Sequence, residues 1–469
     1  MPLLPHPPLL EQVLRTVMRR YRLPAAPAAC AQRLETSPAT ALAMAIDQAR
    51  SAAQHAHPPD AAARRLFTGS LARLIGDAMR ADSGDAAYQA MVLAHHAPPV
   101  HEAMALQAHA EKDERELRSI VNAVAHPAKL PHCTAGPQRE ALAQLHAAHA
   151  SAQWDALAAT AQRLLAMPEL AGETRLQRDL ARLLGGAALT RMQRTTLLAA
   201  DPQVQQYQAL RDQHGPRSGS PAAVAKGQAA QHRGAAVEAL AAQALEALAQ
   251  RLNAAEGAAG DAAGGTAGAW RVVTSMRVPS TLPGSAERAK SEWDAVLLRQ
   301  AAAPAGVPEP AWDVCLLVEA KASIDAATTD FPRLLRGLSL LAQADPKAAY
   351  TFSTHQGPVL LRGAVLSALG TGDAELPGSV LYCCDAPAEA APHLLSAASR
   401  MQLLSAPESL NFASAGARGQ PADARDLEPV WQRLLESPQW ESVLHQYPAM
   451  RRVRELVVHV ADLCAAIHP

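Results

Sequence analysis

The sequence contains few aromatic residues and few cysteines. Aromatic side chains make up 3% of the 469 residues, although apolar residues make up 49% and many of them are alanine. This composition favours helices that pack closely through small side chains, with modest burial per residue. The six cysteines include no Cys-x-x-Cys pair, so the sequence indicates neither a disulfide framework nor a zinc site.

Strong net charge and long apolar runs are also absent. The net charge is −1 and the isoelectric point about 7.0, so any contact with nucleic acid must come from a local patch. No stretch of eighteen strongly apolar residues occurs, and the N-terminal residues 1–8 lack a basic region followed by an apolar core. We therefore expect a cytoplasmic protein that does not enter the membrane.

The first part of the chain has helical periodicity throughout. We predict a large all-helical domain at 1–213, followed by a linker at 214–226 that is rich in turn-forming residues. Residues 137–168 read as two antiparallel helices, and the second resembles half of a tetratricopeptide-type hairpin. The further copies that a solenoid needs are not found, so this hairpin indicates only a helical scaffold.

Strands appear for the first time beyond the linker and alternate with helices. The pattern predicts an α+β domain at 227–390 and a helical C-terminal extension at 391–469. We expect Thr328, Thr329 or Asp330 to cap the helix that ends near 343. The predicted strands are 270–278, 292–298, 312–321, 348–354 and 379–384, with a glycine-rich loop at 257–268 and a proline–alanine linker at 301–310.

Two charged residues lie at the end of the predicted apolar strand 312–321. The run 312–321 closes with Glu319-Ala320-Lys321. Burying either charge costs several kcal/mol unless the charge is paired or binds a metal. Because strand side chains alternate, Glu319 and Lys321 emerge on the same side, roughly 6.6–7 Å apart. The preceding strand carries an aspartate, Asp294, near its start.

This order of elements resembles the PD-(D/E)XK nuclease superfamily, which has the restriction-endonuclease-like fold. The resemblance covers about 220–390 and rests on Asp294 and on Glu319-Ala320-Lys321. It implies a mixed sheet flanked by helices and a catalytic set of these residues. Glu238, on the preceding helix, matches the additional acidic residue of many members. The chain departs from the family pattern at Trp293, where the family name has proline, and in the helix after Lys321, which lacks the Gln-x-x-x-Tyr of the RecB-type branch.

The same residues suit phosphodiester hydrolysis on chemical grounds. Mg²⁺ prefers oxygen ligands and keeps several waters, so one or two carboxylates and a substrate phosphate can hold it. Asp294 and Glu319 would supply the carboxylates for one or two Mg²⁺ or Mn²⁺ ions, with Glu238 and the carbonyl of Ala320 as further ligands. Lys321 would orient or deprotonate the attacking water.

Two functions follow from these observations. The first is a divalent-metal-dependent nuclease that cuts DNA, with RNA as a more remote substrate. The second is a non-catalytic interaction protein, in which the helical N-terminal domain binds a protein partner. In the first case the candidates for phosphate contact are basic residues around the site: Arg288, Lys290, Arg333 and Arg336.

Overall fold

The computed structural model describes residues 7–30, 37–132, 136–170, 172–215, 220–263, 269–301, 310–372, 375–389 and 392–468. No strand occurs among the described residues before Trp270, so the helical character predicted for the N-terminal region is confirmed. The helices of this region are α1 (Pro8–Thr16), α2 (Pro38–Gln54), α3 (Ala61–Ala78), α4 (Ala86–His96), α5 (Pro98–Gln107), α6 (Ala110–Ala125), α7 (Pro137–Ala150), α8 (Trp154–Leu165), α9 (Thr174–Gly185), α10 (Ala187–Ala199), α11 (Pro202–His214) and α12 (Pro221–Ala263).

The remainder of the chain alternates strands and helices, which makes the protein α+β as predicted. In chain order the elements are β1 (Trp270–Arg277), β2 (Glu292–Gln300), β3 (Ala311–Ala320), α13 (Ile324–Leu341), β4 (Ala349–Phe352), β5 (Val359–Arg362), α14 (Gly363–Leu366), α15 (Leu376–Ser379), β6 (Val380–Cys384), α16 (Ala397–Leu404), α17 (Pro407–Ala417), α18 (Glu428–Glu436), α19 (Glu441–Leu444), α20 (Gln446–Leu456), β7 (Val457–His459) and α21 (Val460–Ile467). Short 3₁₀ helices lie at Pro27–Cys30, Leu130–His132, Pro168–Leu170, Ala424–Leu427 and Pro438–Trp440.

The strands form one mixed sheet centred on β3. On one side β3 pairs with β2, which pairs with β1, and both pairs are antiparallel. On the other side β3 is parallel to β5 at its start and to β6 at its end. β4 extends the sheet from β5, and β7 extends it from β6. β3 is therefore paired along both edges. Its nearly continuous apolar sequence follows from burial of both of its faces.

Helices cover both faces of this sheet. On one face, α1, α12 and α21 bury an apolar cluster against Leu316, Val318 and Ala320 of β3. On the other face, α13 and α20 bury a second cluster that includes Leu317 of β3 and Tyr382 of β6. The end of β3 therefore lies between two helical layers, and this geometry determines which helices can reach the candidate site.

The described residues divide into two compact units whose boundaries differ from the predicted ones. One unit comprises Met1–Leu74, Ser218–Ala406 and Asp423–Pro469, and the other comprises Ile75–Arg217 and Pro407–Ala422. The N-terminal helix α1 belongs to the unit that contains the sheet, because Leu10 and Val13 are buried in the α12 cluster. A boundary read from local composition does not reveal this distant packing.

The second unit contains the predicted helical hairpin. The helices α7 and α8 bury Leu142, Leu145, Leu157 and Leu164 in one cluster, together with residues of α6, α9 and α10. The hairpin is thus one part of a larger helical core. Its likeness to a tetratricopeptide repeat stays a prediction.

Several local predictions are wrong. Residues 221–226 of the predicted linker are the first residues of α12, and α12 continues through 257–263 of the predicted glycine-rich loop. β5 and β7 were not predicted as strands; β7 interrupts what reads as one continuous C-terminal helix, so the C-terminal extension is not purely helical. Residues 216–219, 264–268 and 302–309 of the predicted loops lie outside the described residues.

Among the residues that the structure describes, no helix is both long enough and apolar enough to cross a membrane.

Candidate active site

The candidate site lies where β2 and β3 stop pairing. The last register pair joins Ala295 to Val318, yet β3 continues to Ala320. At this point the carboxylate of Asp294 replaces a backbone acceptor, because its Oδ2 accepts a hydrogen bond from the Ala320 N–H at 2.8 Å. Asp294 is thereby fixed beside the end of β3.

A local irregularity in β1 and β2 accompanies this orientation of Asp294. Ser275 of β1 lies opposite Asp294 of β2. The residue before Ser275 pairs with the residue after Asp294, and the residue after Ser275 pairs with the residue before Asp294. Ser275 has a φ of 50°, a left-handed conformation that is uncommon for a residue other than glycine. Its neighbours Val273 and Met276 bury their side chains in the same cluster, so the alternation of β1 is broken here. Sheet irregularities of this kind re-aim side chains.

Glu319 is fully buried and carries two ammonium partners on one oxygen. Its Oε2 lies 2.5 Å from Lys290 Nζ and 3.1 Å from Lys321 Nζ. Its Oε1 is buried and has no hydrogen-bond partner among the described residues. Burial, together with the negative charge of Asp294, raises the pKa of Glu319 to about 8, although the two lysines lower it in part. A further cation at Oε1 would favour the charged carboxylate.

Lys321 links Glu319 to a third carboxylate. Its Nζ lies 3.6 Å from Oδ2 of Asp330, and the Tyr382 hydroxyl donates to the same oxygen at 3.2 Å. Burial lowers the pKa of Lys321, but the charges of Glu319, Asp330 and Asp294 outweigh it, so the net shift is upward. The pKa of Tyr382 is also raised, by burial and by the charges of Asp330 and Glu319. Lys321 is therefore held charged between two acidic groups.

Asp330 lies within α13 and faces this cluster, because α13 begins at Ile324, earlier than the sequence predicts. The helix starts at Ile324, and Ser323 is its cap, with Oγ accepting from the Ala326 N–H at 3.1 Å. Thr328 and Thr329 are interior residues whose hydroxyls bond to carbonyls one turn back. The predicted cap at 328–330 is therefore wrong, and Asp330 is free to face Lys321.

Glu238 approaches the carboxylates from the opposite helical layer. It is exposed on α12, next to the buried Val237. Partial burial and the negative charge of Asp294 raise the pKa of Glu238, whereas Lys321 lowers it. These interactions place Glu238 within electrostatic range of Asp294 and Lys321. Glu238 is thus part of the same charge cluster.

The carbonyl of Ala320 faces the gap between β2 and β3. The Lys321 N–H donates to the Cys383 carbonyl of β6 at 2.9 Å. No cis peptide bonds occur among the described residues. In a trans peptide the C=O and the following N–H point in opposite directions, so the Ala320 carbonyl points away from β6, toward Asp294. Its predicted place among the ligands is compatible with this direction.

The four basic residues predicted to contact phosphate differ in position. Lys290 is buried against Glu319, with 5% of its surface exposed, so it is not an open phosphate contact. Arg288, Arg333 and Arg336 are exposed. Arg336 Nε donates to the Arg288 carbonyl at 2.9 Å, which joins the polar loop after β1 to α13. These three arginines form an exposed basic edge beside the site.

The oxygen atoms around the gap suit a hard divalent cation. Two carboxylates, Asp294 and Glu319, and one carbonyl lie near it, and Mg²⁺ needs few protein ligands because it keeps several waters. The unpartnered Oε1 of Glu319 is a buried acceptor that loses hydration unless a cation or donor binds it. No group of three or more His, Cys, Asp or Glu side chains suited to a metal is present in the described part of the chain.

The sequence did not indicate the positions of three neighbours of Glu319 and Lys321. Lys290 was expected at a phosphate, and Asp330 was expected at a helix cap. Tyr382 was not singled out, although a tyrosine within the apolar strand Val380–Cys384 is a usable signal. Glu319 pairs in register with Tyr382 across the parallel β3–β6 ladder. That adjacency follows from sheet topology, which the sequence does not reveal.

No family model matches the chain, and comparisons with curated proteins and with solved structures likewise found no match.

Proposed function

We propose that residues of about 220–390 form a restriction-endonuclease-like domain of the PD-(D/E)XK type, and that the protein is a divalent-metal-dependent nuclease acting on DNA in the cytoplasm. One observation carries the proposal. Asp294 of β2 is bonded to the Ala320 N–H, and Ala320 lies between Glu319 of β3 and Lys321, the residue directly after β3, which form an ion pair where the two strands separate. Carboxylates and an ammonium so arranged are what hydrolysis of a phosphodiester requires.

Each residue has a distinct role in this proposal. Asp294 and Glu319 would hold one Mg²⁺ or Mn²⁺ ion, with the Ala320 carbonyl and Glu238 as further ligands. The ion would supply a water of lowered pKa and neutralise charge on the phosphate. Lys321, held between Glu319 and Asp330, would orient the attacking water and offset the charge that builds on the phosphate.

The exposed arginines support a nucleic-acid substrate. Arg288, Arg333 and Arg336 lie together on one edge, in a protein whose net charge is −1. Such a local basic edge would bind the phosphate backbone without regard to sequence. DNA is the proposed substrate and RNA the alternative, since phosphate contacts alone do not separate the two.

Cleavage assays test the proposal. Purified protein with Mg²⁺ or Mn²⁺ should cut linear and circular DNA, and excess chelator should stop the reaction. Lys321→Met should abolish cutting, whereas Lys347→Met, which removes an exposed lysine after α13, should not. If Lys321→Met cuts as well as the parent protein, the assigned site is wrong. The same assay with RNA decides the substrate.

A second function is favoured by one specific observation. Lys290 and Lys321 already place two positive charges on Glu319 without any metal. Because these two lysines already offset the charge of Glu319, the site is compatible with a non-catalytic protein. In such a protein the helical unit containing α4–α11 would bind a protein partner. Calorimetry separates the two functions, because this alternative predicts no Mn²⁺ binding that depends on Asp294 and Glu319.

A further inference from the structure

Lys290 is one of the few buried charged side chains of the described residues, and it contacts the central carboxylate of the site. Its Nζ lies 2.5 Å from Glu319 Oε2. Burying an ammonium is costly unless it is paired with good geometry. Because Lys290 lies at the end of the loop before β2, its burial is not a consequence of strand alternation and needs a local cause.

The backbone around Lys290 is fixed by the helix packed on it. The Lys290 N–H donates to the Arg333 carbonyl of α13 at 3.2 Å. Gly337, one turn further along α13, permits this approach: a Cβ at that position would lie 2.7 Å from the Lys290 Cβ. The Lys290 ammonium also lies 5.8 Å from the centre of the Trp293 ring. The helix and the strand together direct this side chain toward Glu319.

The two oxygens of Glu319 are consequently unequal. Oε2 receives both lysines, whereas Oε1 has no partner among the described residues. An ammonium that engages one oxygen limits rotation of the carboxylate and leaves the other oxygen for a ligand. Groups that hold a metal ligand in this way change metal affinity by about 10–100-fold when they are removed.

We infer that Lys290 is a positioning residue: it holds Glu319 through Oε2 so that Oε1 is presented to the divalent cation. This inference rests on the proposed function, since it presupposes a cation at Glu319. Lys321 also contacts Oε2, but its Nζ interacts with a second carboxylate as well, since it lies 3.6 Å from Asp330 Oδ2. Among the described residues, Glu319 is the one carboxylate within salt-bridge distance of Lys290, so the charge of Lys290 acts on Glu319 alone.

A merely structural role would have a different signature. A buried ion pair that stabilises the fold should change the free energy of unfolding when it is broken, without changing metal affinity in the folded protein. The chain offers a matched control for that case. Arg362 and Asp313 form a two-pronged ion pair, with Arg362 Nε 2.7 Å from Asp313 Oδ1, at the opposite end of β3 from Glu319.

The experiment is a calorimetric titration of the full chain with MnCl₂ alone, without DNA. We expect Lys290→Met to weaken Mn²⁺ binding by about 10–100-fold. Lys290→Arg keeps a charged donor and should restore most of the affinity. Arg362→Met should lower the free energy of unfolding in urea and leave Mn²⁺ affinity unchanged. Should Lys290→Met fail to fold, Lys290→Gln, which is similar in length but uncharged, is expected to show the same direction of change.

Parent-like Mn²⁺ affinity in the folded Lys290→Met or Lys290→Gln protein overturns the inference. An equal loss of affinity in Arg362→Met does so as well, since it would indicate a general effect of stability. If the parent protein itself neither binds Mn²⁺ nor cuts DNA, the proposed function fails first and the positioning role fails with it. If the parent binds and cuts but Lys290 is dispensable, only the inference fails.

Discussion

Asp294 and Ala320 are joined by a hydrogen bond across the gap between β2 and β3, with the carboxylate Oδ2 2.8 Å from the backbone nitrogen. The last register pair of these strands joins Ala295 to Val318, and the bond lies just beyond it. Asp294 therefore ends the pairing of β2 with β3 and presents charge at the same place. These two tasks can be separated by mutation.

Asp294→Asn should separate them. The asparagine side-chain oxygen can still accept from the Ala320 N–H, so the free energy of unfolding should change by less than about 1 kcal/mol. Cleavage should fall by at least about 100-fold, a loss typical of one catalytic group. Urea unfolding and initial cleavage rates measure the two effects. Asp294→Ala should lose both, and equal activity in the asparagine variant and the parent would remove Asp294 from the site.

Gly337→Ala should destabilise the protein and impair the site. The new methyl group would lie 2.7 Å from the Lys290 Cβ, so either α13 or Lys290 must move. Overpacking of this kind costs about 1–3 kcal/mol. Gly234→Ala in α12 is the control, because no atom lies within 4 Å of its added Cβ, and it should stabilise by about 0.4–1 kcal/mol. Equal effects of the two substitutions on thermal unfolding would contradict the packing at Lys290.

The pH dependence of stability should reflect Glu319. Its pKa is raised in the folded protein from 4.5 to about 8, so between these values the folded state binds a proton that the unfolded state has lost. The free energy of unfolding of the metal-free protein should therefore fall as pH rises through this window, by at most about 5 kcal/mol. Stabilisation by Mn²⁺ should grow over the same window, because the cation competes with that proton. Urea unfolding at several pH values, with chelator or with MnCl₂, measures both. A stabilisation by Mn²⁺ that does not change between pH 6 and 8 would remove Glu319 from the ligands.

Arg333→Ala should weaken DNA binding without affecting the chemical step. Arg333 is exposed on α13, and its guanidinium lies outside the buried charge cluster. Loss of one phosphate contact should raise KM, leave kcat nearly unchanged and reduce the slope of log affinity against log salt by about 1. Arg65→Ala, on an exposed part of α3, is the control and should leave the slope unchanged. A parent-like slope in Arg333→Ala would place the DNA elsewhere.

Much of the sheet could be predicted because its strands have a strong local pattern. The central strand β3 was expected at 312–321 and is found at Ala311–Ala320. β5 and β7 were missed for physical reasons. β5 has only four residues, too few for a clear alternating pattern. The three residues of β7 continue the apolar spacing of the helices on either side, and they form a strand because they pair with β6. Such pairing depends on distant parts of the chain.

The residues of the candidate site that have a strong local pattern could likewise be predicted. Asp294, Glu319 and Lys321 stand out because they are charged residues in or beside apolar strands. The contacts of Lys290 and Asp330 with the site could not be predicted. A lysine in a polar loop indicates an exposed phosphate contact, and an aspartate beside two threonines indicates a helix cap. Their positions arise from tertiary packing: α13 approaches Lys290 closely at Gly337, and Asp330 of α13 lies 3.6 Å from Lys321.

The most direct test is a crystal structure of the protein grown with Mn²⁺, with the ion located by its anomalous scattering. The proposed function predicts a peak in the gap between β2 and β3, with oxygens of Asp294 and Glu319 about 2 Å from it and Glu238 directed toward it. Lys290 should remain on Oε2 of Glu319. A structure at saturating Mn²⁺ with no ion at Asp294 and Glu319 would contradict a metal-dependent nuclease centre at this site.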